Sequence, residues 1–399
     1  MSSHAIADAS AALDPQEVVS RIRAVLPAAE TRAALHEPRF SGNERAYVDD
    51  CIDTGWVSYA GAYVERFETA LAEACGVKSA VVVTSGTVAL QVALTVSGVG
   101  PGDEVLVPAL TFVASANAIV HAGGVPHFVD ADTATLGISP SALETHLAAI
   151  GERRGAGVCN KDTGRRIAAV MPVHIFGHPA DMDALNEVAL HYGLAVVEDA
   201  TEALGSLYKS RPCGSLANIA ALSFNGNKIA TTGGGGAVLV GDADVAARIR
   251  HLTTTAKKPH RWSISHDEVA WNFRMPNINA ALGLAQLEQL DQSIAAKRKL
   301  HQRYAKAFED MAGLQVFAEA PGMRSNYWLV ALVLARDNAA ILEPILLATN
   351  DAGLMTRPLW TPMHLLPMYA ENPRAPLPVT EDLAGRVLNV PSSPFLAAA

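Results

Sequence analysis

The chain has 399 residues, with 31 Lys and Arg against 40 Asp and Glu and a formal net charge of −9, which argues against a nucleic-acid binder, since that needs a basic surface. Hydrophobic residues make up 50% and charged residues 18%, so the chain can bury a large core, and general disorder is excluded. The length fits two or three domains, or one large α/β domain with an appendage.

The opening residues, MSSHAIADAS, lack the basic and apolar regions of a signal peptide. No segment is apolar enough to span a bilayer. The four cysteines, Cys51, Cys75, Cys159 and Cys213, are widely spaced, with no Cys-x-x-Cys pair. A reduced cytoplasmic protein without a metal site is expected. Residues 11–27 carry helical periodicity ending at Pro27, HEPRFSGNE (36–44) leads into a second helix, and residues 1–35 read as an N-terminal arm.

From about residue 64 to 240, strand-like runs alternate with helical ones: SAVVVTS (79–85), DEVLVPA (103–109), VPHFVDA (125–131), IAAVMPVHIFG (167–177), LAVVEDA (194–200), AALSFN (220–225) and GAVLVGD (236–242). Continuous β-branched runs indicate strands buried on both faces, as in a mostly parallel sheet between helices. Residues 36–250 therefore read as a large α/β domain. A long helix over 279–312 and short strands such as YWLVALVLA (327–335) follow, so 251–399 read as a smaller C-terminal α+β domain. The cluster KRK at 297–299 reads as a solvated helix face.

Four stretches end strands or open helices with polar or glycine residues, and open α/β sheets bind ligands outside the carboxyl ends of their strands. In the first, AVVV runs into Thr84, Ser85, Gly86 and Thr87 and then an apolar helix. A helix N-terminus with a glycine suits a phosphate; the alternative is a simple Ser/Thr cap. In the second, PALTFVASANAI (108–119), Phe112 follows a strand and either stacks on a flat ring or packs in the core. The third, LAVVEDA, delivers Glu198 and Asp199 at a strand end. Side chains alternate along a strand, so the two acids face opposite ways. One is free to be structural, and the other needs a cation or donor, such as a protonated ring nitrogen. In the fourth, SFNGNKIATTGGGG (223–236), Lys228 lies between apolar residues and four glycines. Desolvation favours the neutral amine that forms a Schiff base, and the glycines open the backbone to a planar ligand. An acid and a lysine on neighbouring strands make the pairing that pyridoxal phosphate needs.

These residues resemble the DegT/DnrJ family of sugar-nucleotide aminotransferases, from about residue 35 to the end, with a LegC-like pattern. The resemblance is carried by SGNERAYVDDCIDTGWVSYAGAYVERFE (41–68), VHIFGHPADMDAL (173–185), VEDATEALGS (197–206), SFNGNKIATTGGGG, LTTTAKKPHRW (252–262), NFRMPNINAALG (272–283), NYWL (326–329) and TRPLW (356–360). It implies the aspartate-aminotransferase-like fold of type I pyridoxal phosphate enzymes. It also implies that Lys228 carries the cofactor and moves the proton, that Asp199 keeps the pyridinium nitrogen protonated, and that Ser85, Gly86 and Thr87 with Ser223 hold the phosphate. Phe112 would stack on the ring, and Asn272 would reach the phosphate of a partner subunit's cofactor in a homodimer. Glu202 stands where many relatives have Gln or His near the phenolic oxygen, so it is expected to be protonated, turned away or aimed at substrate. Trp56, Ser58, His174, Arg357 and His364 fall in segments that line the substrate side, with His174 equally readable as a satisfied core histidine.

The implied reaction moves the amine of L-glutamate to C4 of a UDP-linked 4-keto-6-deoxy-N-acetylglucosamine, for bacillosamine or legionaminic acid type glycans. The same chemistry on a GDP- or dTDP-linked 4-ketosugar is the alternative. Deoxygenating relatives replace the lysine with histidine, and Lys228 argues against them. A non-catalytic sugar-nucleotide sensor is a rival from another class, and retention of Asp199 and Lys228 speaks against it.

Overall fold

In the strand Ser79–Val83, Ala80 and Val82 face one apolar core while Val81 and Val83 face another. That alternation, with both sides buried, is what a sheet between two helical layers requires. The computed structural model describes residues 13–155 and 157–398; the stretch MSSHAIADAS and the first two residues of the 11–27 pattern lie outside them.

The main sheet runs in the order Ser79–Val83, Gly236–Val240, Ile219–Ser223, Ala195–Asp199, Arg166–Val170, Glu104–Pro108, Val125–Val129. Neighbours from Ile219–Ser223 to Val125–Val129 are parallel, while Gly236–Val240 lies antiparallel to both strands beside it. A hairpin of Gly151–Arg154 and Gly157–Asn160 joins at Arg166–Val170. The fold is therefore α/β of the expected kind, with a largely parallel central sheet. The helices Gly86–Val96 and Val113–His121 cover one face, and Ala62–Cys75, Met182–Tyr192 and Asn277–Leu287 the other.

A second, antiparallel sheet has the order Leu314–Val316, Val330–Leu334, Val387–Val390, Arg357–Pro358. The helix Leu290–Ala307 packs on it through Leu300 and Tyr304, and so does Pro15–Val25 through Val18, Ile22 and Val25. That first helix starts where Asp14 accepts from Gln16 N–H and Pro15 occupies the first turn.

Three local expectations differ from the structure. The expected single helix over 279–312 is two, Asn277–Leu287 and Leu290–Ala307. Gln286 and Gln289 at the break both donate to Glu44 Oε1 at 2.7 Å, a tertiary tie that no local residue signals. The run 167–177 is a strand only to Val170 and then turns through Ile175–Gly177, where Phe176 takes φ 55° and Gly177 φ 90°. The KRK cluster is not a solvated face throughout. Lys297 is fully buried and donates to the Ser392 carbonyl, Arg298 pairs with Glu319 at 2.7 Å, and only Lys299 is exposed. Among the described residues, no helix is long and apolar enough to cross a membrane.

Candidate active site

The carboxyl ends of the parallel strands open into a cleft of about 600 Å³. The turn after Ser79–Val83 forms one end of it. Ser85 caps the helix Gly86–Val96, its Oγ accepting from Val88 N–H at 3.2 Å. The remaining first-turn N–H groups have no intrahelical acceptor, which leaves them for an anion. Gly86 is required here, because a Cβ would lie 2.7 Å from the Cβ of Ser223, the last residue of Ile219–Ser223. Ser85, Gly86, Thr87 and Ser223 thus meet at one lip of the cleft, joined by Asn225.

The four glycines work differently from their expected role. A Cβ on Gly236 would meet the Ser85 carbonyl at 2.4 Å, and one on Gly235 would meet Thr232 Oγ1 at 2.3 Å. Gly236 thus lets the strand lie against the Ser85 turn and Gly235 lets the chain pass Thr232 and Met275, while Gly234 and Gly235 line the cleft.

The strand Ala195–Asp199 sends its two acids to opposite sides. Glu198 points away from the cleft into a closed polar cluster: it accepts from His174 Nε2 at 2.9 Å and from the N–H groups of Gly214 and Leu216. His174 also accepts from Ala180 N–H through Nδ1 at 3.0 Å, so both ring nitrogens are satisfied within a fully buried site. His174 therefore does not line the cleft; the core-histidine reading describes its surroundings. Asp199 does line it. Its Oδ2 accepts from Ser115 Oγ at 2.8 Å, and its Oδ1 accepts from Thr201 Oγ1 at 2.7 Å and Thr201 N–H at 3.2 Å.

Lys228 follows a turn closed by its own N–H on the Asn225 carbonyl. Its Nζ lies 3.2 Å from Glu202 Oε1 and 3.7 Å from the centre of the Trp328 ring. Glu202 is only 5% exposed, and its Oε2 accepts from Phe176 N–H at 2.8 Å. Burial pushes its carboxyl above the usual range, with the Lys228 ammonium opposing. Phe112 stands half exposed at the opposite wall. Its ring is 6.1 Å from Trp360, which packs at 5.0 Å on Phe176. Arg357 lies at the rim, its guanidinium bonded to Asn350 Oδ1 and to the Thr356 carbonyl.

The remaining expected residues lie elsewhere. Trp56 is 60% exposed on a loop outside the cleft, and the backbone carbonyls of Trp56 and Ser58 both accept from Asn277. Asn272 is exposed in the segment that bridges to Thr254. His364 is buried with Nε2 3.3 Å from Glu381 and does not line the cleft, because its short helix Met363–Leu365 turns the ring inward. Sequence reasoning missed Ser115, Thr201, Trp328 and Trp360. Ser115 lay inside the small-residue helix already singled out, and Thr201 follows Asp199 by two, a spacing from which a hydroxyl bonds back to a carboxylate.

The residues of the cleft fit pyridoxal phosphate: an amine, a carboxylate held by three donors, a free helix N-terminus and a glycine gap that a single methyl group would fill.

Comparison with known proteins agrees. The model of the DegT/DnrJ/EryC1/StrS aminotransferase family matches residues 38–399. The chain is 39% identical over 365 residues to the GDP-perosamine synthase of Escherichia coli O157:H7, covering 91% of this chain and 94% of that protein. It is 37% identical over 365 residues to the GDP-perosamine synthase of Caulobacter vibrioides, covering 90% and 93%. Among solved structures it resembles DesI in the presence of its TDP-sugar product, at a TM-score of 0.79 and 30% identity, covering 90% of this chain and 88% of that one. It also resembles the aminotransferase TlmJ of Streptoalloteichus hindustanus, at a TM-score of 0.81 and 28% identity, covering 90% and 93%. These relatives lend no support to the LegC-like subgroup or to a UDP linkage.

Proposed function

Because the chain belongs to the DegT/DnrJ/EryC1/StrS aminotransferase family, whose enzymes depend on pyridoxal phosphate, we propose that it moves the amine of L-glutamate to C4 of a GDP-linked 4-keto-6-deoxysugar. The amino-transfer chemistry rests above all on one observation: Lys228 and Asp199 line the same cleft. The GDP linkage rests on the GDP-perosamine synthases that share 39% and 37% identity over nearly the whole chain, and it replaces the UDP linkage expected from sequence.

When bound, pyridoxal phosphate supplies a carbonyl carbon that takes up and releases the amine, and a ring that withdraws electrons from the reacting carbon. Lys228 Nζ would hold the group and would be the base that takes the proton from the substrate carbon and returns it in the second half-reaction. Asp199, fixed by Ser115 and Thr201, keeps a proton on the ring nitrogen. Ser85, Gly86, Thr87 and Ser223 hold the phosphate through the helix N-terminus, and Phe112 covers the ring. Burial holds the Glu202 carboxyl above its usual range while the Lys228 ammonium opposes, and Glu202 stands as the partner of the lysine at 3.2 Å. Arg357, at the rim, faces the nucleotide diphosphate. Trp56, Ser58 and Asn272, outside the cleft of their own chain, serve the partner's cleft in a cytoplasmic homodimer. In this reading residues 36–250 hold the cofactor and 251–399 close over it.

A single-turnover spectrum tests the proposal. The protein is loaded with pyridoxal phosphate, converted with L-glutamate and freed of donor. Addition of a GDP-linked 4-keto-6-deoxyhexose should restore the absorbance of the starting form, while the UDP-linked 4-keto-6-deoxy-N-acetylhexosamine should not. Restoration by the UDP sugar alone would overturn the GDP assignment. A protein that never colours but binds the sugar nucleotide would favour a sensor.

A further inference from the structure

Trp328 is 4% exposed and touches the Lys228 segment twice. Its indole N–H donates to the carbonyl of Asn227, the residue before the lysine, at 2.7 Å. The face of its ring lies 3.7 Å from Lys228 Nζ. The backbone around it is constrained to present that face. Tyr327 takes φ 49°, an uncommon conformation for a bulky residue. Trp328 N–H donates to Asn326 Oδ1 at 2.7 Å, while Asn326 Nδ2 donates to the carbonyls of Glu202 and Leu204 at 3.0 Å. The ring is thereby anchored to the turn that carries Glu202, the other partner of the amine. Two neighbours of different kind meet one ammonium: a carboxyl and an aromatic face.

We propose that Trp328 is the positioning residue for Lys228, holding its loop through the indole N–H and stabilising the ammonium through the ring face whenever the amine has taken a proton. The proposal rests on the reading of Lys228 as the cofactor lysine. The step it serves is a proton transfer: the substrate C–H bond breaks, its electron pair stays on the carbon side, and an N–H bond forms on Nζ. The second half-reaction returns the proton. An aromatic face attracts the cation without adding a charge, so the proton is held but can leave again. A second carboxylate in that place would bind it more tightly and would compete for the cationic groups of the cleft.

Replacing Trp328 site-specifically with mono- and difluorotryptophan keeps its shape and its N–H but drains the negative face. In the cofactor-free full chain, Lys228 is labelled with formaldehyde and a borohydride, and the rate is read by peptide mass spectrometry against the other lysines. Each fluorine should speed labelling of Lys228 by roughly twofold, since the ring face restrains its Nζ less strongly. The unfolding midpoint should stay constant, and the isotope effect with α-deuterated glutamate should rise in the loaded enzyme. Trp328→Phe should fall between wild type and Trp328→Leu. An unchanged Lys228 labelling rate across the fluorinated series would overturn the proposal. Failure of borohydride to fix the cofactor's mass on Lys228 in the loaded protein would overturn the reading of the lysine instead, leaving the labelling series to report on the ring.

Discussion

Asp199 has both oxygens engaged by its own chain, Ser115 on one and Thr201 on the other, so its direction is set before any ligand arrives. Ser115→Ala removes one neutral donor and should cost about 1 kcal/mol, or roughly fivefold in kcat/KM, with the fold intact. Asp199→Asn removes the charge itself and should cost roughly a hundredfold or more in the glutamate half-reaction. Stopped-flow absorbance on the three proteins separates the effects, and equal losses would contradict the division of labour. Asp199, Lys228 and the Ser85–Thr87 turn were legible because each shows as a local breach of pattern: a charge or glycine where an apolar run should continue. Ser115 and Trp328 were not, since a serine among alanines and a tryptophan before a strand look like ordinary filler. Their meaning depends on segments 84 and 101 positions away. Lys297 misled for the same reason, because the Ser392 carbonyl that receives it lies 95 positions on.

Among the elements, the strands were read well and the helix ends less so. Strands buried on both faces announce themselves by unbroken β-branched runs such as Val81–Val83, whereas the break between Asn277–Leu287 and Leu290–Ala307 is made by contacts with Glu44 rather than by a helix breaker. The packing of Gly86–Val96 onto Ser223 yields a prediction for the whole helix. Gly86→Ala puts a Cβ 2.7 Å from the Ser223 Cβ, and the helix N-terminus must withdraw. Affinity for pyridoxal phosphate should fall at least about tenfold, while the cofactor-free protein loses about 1–3 kcal/mol. Equilibrium titration and urea unfolding test the two parts.

The segment after Ile175–Gly177 carries a pH dependence. His178 is enclosed by the edges of Phe317 and Tyr327, and neither ring nitrogen has a hydrogen-bond partner among the described residues. Burial pushes its pKa from 6.5 down to about 3. Below 6.5 the unfolded chain takes a proton that the folded one refuses, so this contribution is whole above 6.5 and is lost as the pH falls towards about 3. His178→Leu should flatten the decline of stability between about pH 6.5 and 4, measured by urea unfolding. The slope is the test, since the packing change also shifts the overall level; parallel slopes would refute the assignment.

For the whole molecule, the decisive question is whether one cleft borrows from a second copy. Asn272 lies outside its own cleft, and the loop before Ala62, tied to Asn277 through the Trp56 carbonyl, exposes Trp56, Val57 and Tyr59. If Asn272 serves the partner, Lys228→Ala and Asn272→Ala should each be nearly inactive, yet subunit exchange between them should restore activity. A mixed dimer keeps one cleft with both residues intact, so about a quarter of wild-type activity is expected at equal mixing. No recovery after exchange verified by native mass spectrometry would show that each chain completes its own cleft.

The antiparallel strand Gly236–Val240 is the last strand of the main sheet along the chain. It seats Ser79 beside Val240 and closes the loop that bears Lys228. During synthesis the phosphate turn leaves the ribosome long before the strand that completes it, and contacts so distant along the chain form late. The phosphate turn therefore gains the wall that Gly236 supplies only once that strand has emerged and paired.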